Sequence, residues 1–462
     1  MKQSAHWINS DERPIPEALF FRRLSFVRFL LRYPIFILAF GPPLLRSEAI
    51  DATKGKIDIW SFLQVGLLSA IATRAIWRLV AAKSISLPKQ IRSVLRLAFF
   101  LGFLYLASIE YSPGRFVSAA YSIINLLTLI CVAEFVVDVY RNPPDWIQCL
   151  FHLRLIALLL LALALVALLI DPKLVMVILE GAGIRFLGGT VAPVILICSM
   201  IAIISAFNFL YSLERRGKSA LLFLVGLAGV LSTRTRGGEI ALLLCLLILI
   251  IGWAKSSRRI MTLFIPGFIA FTLLSGALVG VVGGGRIWST FNRGESAEGI
   301  ASASGRTEIW KFVIDYSIKH PQGMGYVAGF RILFRNYWTL GSQIETSRIG
   351  GAHNNYLQVL ADAGWLALAV YLIMLIKIVR LALRFTKQQP LSRYAPDRES
   401  RDALRCWLLL LIYCFVDGMD SSDMMIPMWP SYYWQYIIIA IILGISARMI
   451  AASRARHLIM AK

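Results

Sequence analysis

Residues 155–170 read Leu-Ile-Ala-Leu-Leu-Leu-Leu-Ala-Leu-Ala-Leu-Val-Ala-Leu-Leu-Ile, with no charge and no hydrogen-bonding side chain. A barrel strand would alternate between two faces, and this run does not. In hydrocarbon, where backbone groups find no water, such a segment satisfies its N–H and C=O groups only as a helix. Crossing a bilayer takes roughly 20 residues, and apolar runs that approach or exceed this length recur along the chain. Of its 462 residues 58% are hydrophobic and 16% charged. The expected fold class is therefore all-α: a polytopic membrane protein with about twelve transmembrane helices. The spans are read at 33–46, 58–78, 95–110, 115–137, 153–170, 191–212, 218–233, 238–254, 260–282, 358–380, 404–418 and 431–450. The first is short and carries Pro34, Pro42 and Pro43, so a tilted or partly re-entrant segment is expected there.

Lys and Arg number 48 against 26 Asp and Glu, a formal net charge of +22. Such an excess fits nucleic acid, a membrane surface or an anionic substrate, but in a polytopic protein cytoplasmic loops account for it. The basic groups do alternate between loops. Arg22, Arg23 and Arg28; Arg78, Lys83, Lys89 and Arg92; Arg215, Arg216 and Lys218; Lys255, Arg258 and Arg259; Arg380, Arg384, Lys387 and Arg393; and Arg448, Arg454 and Arg456 all fall on one side. That side is read as cytoplasmic, with both termini there, and no nucleic-acid partner is expected.

Residues 1–17 are polar and lack the short apolar core and small-residue cleavage site of a removable signal peptide. Residues 19–32 mix phenylalanine with arginine, as a helix lying at the interface does. The organisation read from the chain is a cytoplasmic N-terminus with this helix (1–32), nine spans (33–282), a large external loop (283–357), three spans (358–450) and a cytoplasmic tail (451–462). All six cysteines lie in or beside apolar segments, so free thiols are expected.

The alternation places two polar segments outside. One is the turn Ser232-Thr233-Arg234-Thr235-Arg236-Gly237-Gly238, and the other is the insertion from about Gly283 to Ala352, followed by His353. About 70 residues is long for a passive connection. Ser304 or Gly305 can cap a helix from Arg306 to Lys319, with Ile309, Trp310, Val313 and Ile314 as its apolar face and Pro321 and Gly323 ending it. It reads as a lid on the membrane domain.

Arg234 and Arg236 sit in a tight turn at the membrane edge, where a positive charge is costly and an arginine fork suits phosphate oxygens. Pairing of Arg236 with Glu239 on the same helix face is the alternative. Arg306 falls in the first turn of the lid helix, so its guanidinium and the free amides there favour the same anion; a solvated arginine paired with Glu308 or Asp315 is the alternative. Arg286 adds positive charge on this side. His353, at the mouth of a span, has an ordinary pKa near 6.5 and can accept a proton at neutral pH. Asn354 and Gln358, four residues apart on one face, can hold sugar hydroxyls or cap the helix. No HExxH sequence occurs, no Cys/His pair has metal-ligand spacing, and no Walker A sequence is present. Neither a metal nor another cofactor is expected, although Asp417, Asp420 and Asp423 form one acidic cluster.

These residues stand in an order that resembles the O-antigen ligase and polymerase family of bacterial membrane glycosyltransferases. The parts are Arg185-Phe186-Leu187-Gly188 before a span, Thr235-Arg236-Gly237 at an outside turn, Gly305-Arg306-Thr307-Glu308-Ile309-Trp310 in the large loop, and His353-Asn354-Asn355-Tyr356-Leu357-Gln358 running to Gly364. Together they cover about residues 185–380. Ala192-Pro193-Val194 departs from the pattern, in which asparagine often follows the proline.

The resemblance implies a GT-C-like membrane body and metal-independent, inverting transfer of a glycan from undecaprenyl diphosphate at the outer face of the bacterial inner membrane. Arg236 and Arg306 would then neutralise the diphosphate, and His353 would activate or position the acceptor hydroxyl. Arg234, Asn354, Gln358, Arg185 and Arg286 would contact substrate. The implied partners are the lipid-linked donor, a glycan or lipid A–core acceptor, membrane lipids, and polysaccharide chain-length and export proteins. A polymerase is slightly favoured over a ligase. A secondary transporter would instead show inverted halves and ionisable groups near mid-membrane, and a scaffold gives no reason for Arg236, Arg306 and His353 to share a side.

Overall fold

The structure is a computed structural model that describes residues 26–40, 59–81, 87–142, 146–170, 176–179, 183–186, 194–211, 215–233, 235–254, 306–338, 351–387, 395–419, 425, 427 and 430–460. Its helices are α1 (Phe26–Arg32), α2 (Ile35–Phe40), α3 (Ile59–Ala81), α4 (Lys89–Ala107), α5 (Arg115–Arg141), α6 (Trp146–Ile170), α7 (Val194–Tyr211), α8 (Arg216–Thr233), α9 (Arg236–Ala254), α10 (Arg306–Lys319), α11 (Ala328–Trp338), α12 (Asn355–Lys387), α13 (Ala395–Asp417) and α14 (Pro430–Met460). Eight of these are long and apolar enough to cross a membrane, and α9 contributes a shorter apolar stretch, Gly237–Gly252. The protein is an all-α polytopic membrane protein. The span read at 404–418 falls on α13 up to Asp417, and the one read at 260–282 lies outside the described residues.

Several helices run past their apolar windows. α4 starts at Lys89, α12 continues to Lys387 and α14 to Met460. Asp138, one residue past the span read at 115–137, lies in α5 and accepts a 2.8 Å hydrogen bond from Arg32 Nε. The helix read at the interface over 19–32 is described from Phe26 as α1, and of the first predicted span, 33–46, α2 covers Ile35–Phe40; Phe29 packs on Tyr33 and Phe36, which in turn meet Phe135 and Trp434. Residues 41–46 lie outside the described residues.

The sequence reading assigns no strand to the connection before α7. Met176–Leu179 (β1) and Gly183–Phe186 (β2) form an antiparallel hairpin there, with Met176 opposite Phe186 and Val177 opposite Arg185. The β-branched and aromatic residues Val177, Ile178, Ile184 and Phe186 favour this pairing.

α7 is the most enclosed of the eight apolar helices, with 83% of its window buried, and it packs against α6, α8, α9 and α13. Lipid tails are as apolar as leucine, so helix association depends on close packing and interhelical hydrogen bonds. Both occur here. Asn125 Oδ1 of α5 accepts hydrogen bonds from the hydroxyls of Tyr432 and Tyr436 of α14, at 2.6 and 3.1 Å.

The feature that positions the site is a break in α12. Ala363 and Gly364 leave helical geometry, with Gly364 at φ 78°, a conformation that favours glycine. Backbone groups released by the break, two carbonyls and one amide, are paired with the loop after α10. Met324 N donates to Ala361 O at 2.6 Å, Gly325 N to Asp362 O at 3.1 Å, and Trp365 N to Pro321 O at 3.1 Å. Irregular backbone at membrane depth is tolerated because protein satisfies it. The same loop is anchored on α4 and α5: Tyr326 N donates to Ser108 Oγ, Ser118 Oγ donates to Tyr326 O, and Tyr326 stacks on Tyr105 with ring centroids 4.0 Å apart.

α10 and α11 build a small core of their own over the start of α12. Ile309, Val313, Met324, Phe330 and Phe334 pack there with Ala352, Leu360 and Ala361. The helix expected from Arg306 to Lys319 is present with those bounds.

Candidate active site

Three helix ends lie at one end of the bundle. The start of α9 is pressed against α7 and α13, since a Cβ at Gly238 would collide with Ile195 and lie 3.0 Å from the Tyr413 hydroxyl. One turn beyond Tyr413 the end of α13 supplies the Gly418 carbonyl, which accepts a 2.7 Å hydrogen bond from the amide of Asn355 at the start of α12. The Arg236 backbone, the end of α13 and His353 are thereby brought to one end of the bundle. For Arg236 only the backbone at the head of α9 is described, Arg234 and Arg286 lie outside the described residues, and Arg185 is placed through its backbone in β2.

His353 adopts φ 49°, the left-handed region. This costs a residue with a Cβ about 1–2 kcal/mol, so its surroundings must impose it, and its neighbours are fixed on both sides. Ala352 N donates to Gln358 Oε1 at 2.8 Å, and Ala352 O accepts from Trp310 Nε1 at 3.0 Å. After the histidine, Asn354 Oδ1 accepts from the amides of Tyr356 and Leu357, at 2.9 and 3.0 Å, and so caps α12. Asn354 Nδ2 donates to Met419 O at 3.0 Å, which fastens the loop to the end of α13.

The Trp310 bond also fixes what faces the histidine. Arg306 lies one turn before Trp310 on the same face of α10. Its charge reaches His353. The imidazole pKa is pushed down to about 4, chiefly because burial penalises the charged form and secondarily because the Arg306 guanidinium repels a second cation. At neutral pH His353 is therefore uncharged, and the same surroundings make it a weaker base than an ordinary imidazole. The arrangement is a neutral imidazole within reach of the Arg306 charge, with the N-terminus of α10 adding further positive potential.

Gln358 is 1% exposed. Its Oε1 accepts the Ala352 amide and its Nε2 donates to Asp362 Oδ1 at 2.8 Å. In this conformation its polar atoms serve the protein's own loop and present no surface to a ligand. Asn354 is similarly engaged as a cap. The sequence reading passed over Asp362, although an ionisable residue four positions after Gln358 inside an apolar helix is a signal that could have found it. No group of three or more His, Cys, Asp or Glu side chains suited to a metal occurs among the described residues, and Asp420 and Asp423 lie outside them.

Residues 220–372 match the family model described as O-antigen ligase. The match bears out the resemblance to the O-antigen ligase and polymerase family, and it spans the α8–α9 turn, the lid helices and the break in α12. It contains Arg234, Arg236, Arg286, Arg306, His353, Asn354 and Gln358, whereas Arg185 precedes it. No curated protein matches the chain.

Proposed function

With an O-antigen ligase family region built over the end of a membrane bundle, we propose that the protein is a glycosyltransferase of the bacterial inner membrane. It moves a glycan from undecaprenyl diphosphate to an acceptor hydroxyl at the outer face, during assembly of a surface polysaccharide. The observation that carries this reading is the neutral imidazole of His353 held beside the Arg306 cation.

In the proposed step the acceptor oxygen attacks the anomeric carbon from the side opposite the diphosphate. The hydroxyl proton passes to His353, and the glycosidic C–O bond breaks with its electron pair leaving on the diphosphate. Negative charge grows on that leaving group in the transition state, so preplaced cations lower the barrier. Arg306 and Arg236 are assigned this role, with Arg234, Arg286 and Arg185 as further donor contacts. Asn354 and Gln358 contribute by shaping the His353 loop. No metal is required, because the guanidinium groups supply the positive charge. The donor lipid enters from the bilayer, and polysaccharide chain-length and export proteins would act beside the enzyme.

Polymerisation of lipid-linked repeat units is the favoured outcome, and ligation to lipid A–core is the second reading. Purified protein incubated with a lipid-linked repeat unit, with and without a lipid acceptor, separates them by product size. A ladder without added acceptor supports a polymerase, and a single transfer to the acceptor supports a ligase. The reading fails if neither product forms while His353→Ala and Arg306→Ala cells assemble glycan normally.

A further inference from the structure

Asp362 has 0% exposure inside α12, and one of its carboxylate oxygens accepts two hydrogen bonds. Its Oδ1 accepts from Gln358 Nε2 at 2.8 Å and from the Val327 amide at 2.9 Å, while Oδ2 has no hydrogen-bond partner among the described residues. A leucine would suit the apolar surroundings better, since a buried carboxylate needs compensation. Its partners indicate what it does. Val327 and His353 are the two non-glycine residues with positive φ among the described residues, at 58° and 49°. The carboxylate binds the amide of Val327 directly, and through Gln358 it reaches the amide of Ala352, which precedes His353. One oxygen thus restrains both left-handed turns: the one that seats the lid's second helix and the one that aims the histidine.

We propose that Asp362 is a positioning residue for glycan transfer, holding His353 against Arg306 through Gln358 and the Ala352 amide. The proposal rests on the catalytic reading of His353. Asp362 and Gln358 touch no substrate, and their effect passes through the loop. Displacing a base by about 1 Å can cost on the order of a hundredfold in rate, so these two side chains should control kcat more than donor binding.

The test uses the full-length protein in liposomes with a lipid-linked repeat unit, comparing Asp362→Ala, Asp362→Asn, Gln358→Met and His353→Ala. Asp362→Ala and Gln358→Met should lower kcat about ten- to hundredfold with the donor KM within about threefold. They should also move the acid limb of kcat/KM upward from its position in the unaltered protein, as the loop opens to water. Asp362→Asn keeps an oxygen that can accept both bonds and should restore most of the rate. If Asp362→Ala does not fold, Gln358→Met and Asp362→Asn still decide the matter. Unchanged kcat and acid limb in Gln358→Met, or Asp362→Asn as impaired as Asp362→Ala, would overturn the proposal. Full activity in His353→Ala would instead overturn the catalytic reading beneath it.

Discussion

In the proposed transfer step His353 couples two properties that oppose each other: its imidazole is largely withdrawn from water, and it accepts a proton. Enclosure and the Arg306 charge lower its pKa to about 4. The protonated form is therefore populated only as pH falls through about 4, and the basic form is present above it. Transfer by the free enzyme should persist through pH 6 and pH 5 and decline below, measured as kcat/KM against pH. An ordinary histidine would begin to lose activity near 6.5. Donor binding should sharpen the contrast. A diphosphate at Arg306 offsets the repulsion that Arg306 exerts, so the acid limb of kcat should lie above that of kcat/KM; coincident limbs would mean that donor charge does not reach the histidine. Arg306→Gln should cost about a hundredfold or more in kcat, as loss of a preplaced charge does. Arg306→Lys, which keeps the charge but loses the fork, should fall between Arg306→Gln and the unaltered protein.

Two links join the lid to the membrane helices. One is the indole of Trp310 bound to Ala352 O, and the other is the loop 321–327 seated in the break of α12. Trp310→Phe keeps most of the packing and removes one hydrogen bond, which is worth about 1 kcal/mol. It should reduce stability slightly but lower kcat about tenfold, because the lost bond is the one that sets the histidine loop. Gly364→Ala should act on stability instead. It demands a left-handed alanine and drives the new methyl into the Pro321 carbonyl, at a cost of about 2–4 kcal/mol, visible as earlier thermal aggregation in detergent. The lid helix was readable from its capping residue, apolar face and terminating Pro321. The break in α12 was not readable as a break, since a glycine in an apolar run is common and only the loop amides of 324 and 325 show why it is needed here. Asn354 and Gln358 were legible as a polar pair, but that they face the protein depended on Ala352 and Met419, distant partners that spacing does not reveal.

For the molecule as a whole, the site end and the basic end are opposite ends of one bundle, and the proposed orientation has a direct test. All six cysteines are buried, so introduced cysteines can be labelled over a low background. Arg115→Cys, at the site end near Glu110 with a side chain 67% exposed, should react with an impermeant maleimide in spheroplasts. Arg92→Cys, at the exposed start of α4, should react only after permeabilisation. The reverse pattern would place the site in the cytoplasm and remove the proposed donor. Chelation before assay should leave transfer unchanged if guanidinium groups alone carry the leaving-group charge, and loss of activity restored by Mg²⁺ would show otherwise.

The apolar runs by themselves determined a helical membrane protein, because hydrocarbon leaves the backbone no other way to pair in runs of that kind. Ordered motifs carried the resemblance to the O-antigen ligase and polymerase family, which a family-model match over residues 220–372 supports, and the lid helix followed from local signals of cap, face and stop. The tertiary structure decided which polar residues face one another. Whether Arg306 lies beside His353 depends on a Trp310 hydrogen bond spanning 42 positions, and the histidine's backbone depends on a carboxylate in the membrane helix. Such contacts between segments distant in sequence leave no periodic trace in it. The lowered basicity of His353 belongs to the same category, since burial and a neighbouring charge are properties of the folded surroundings.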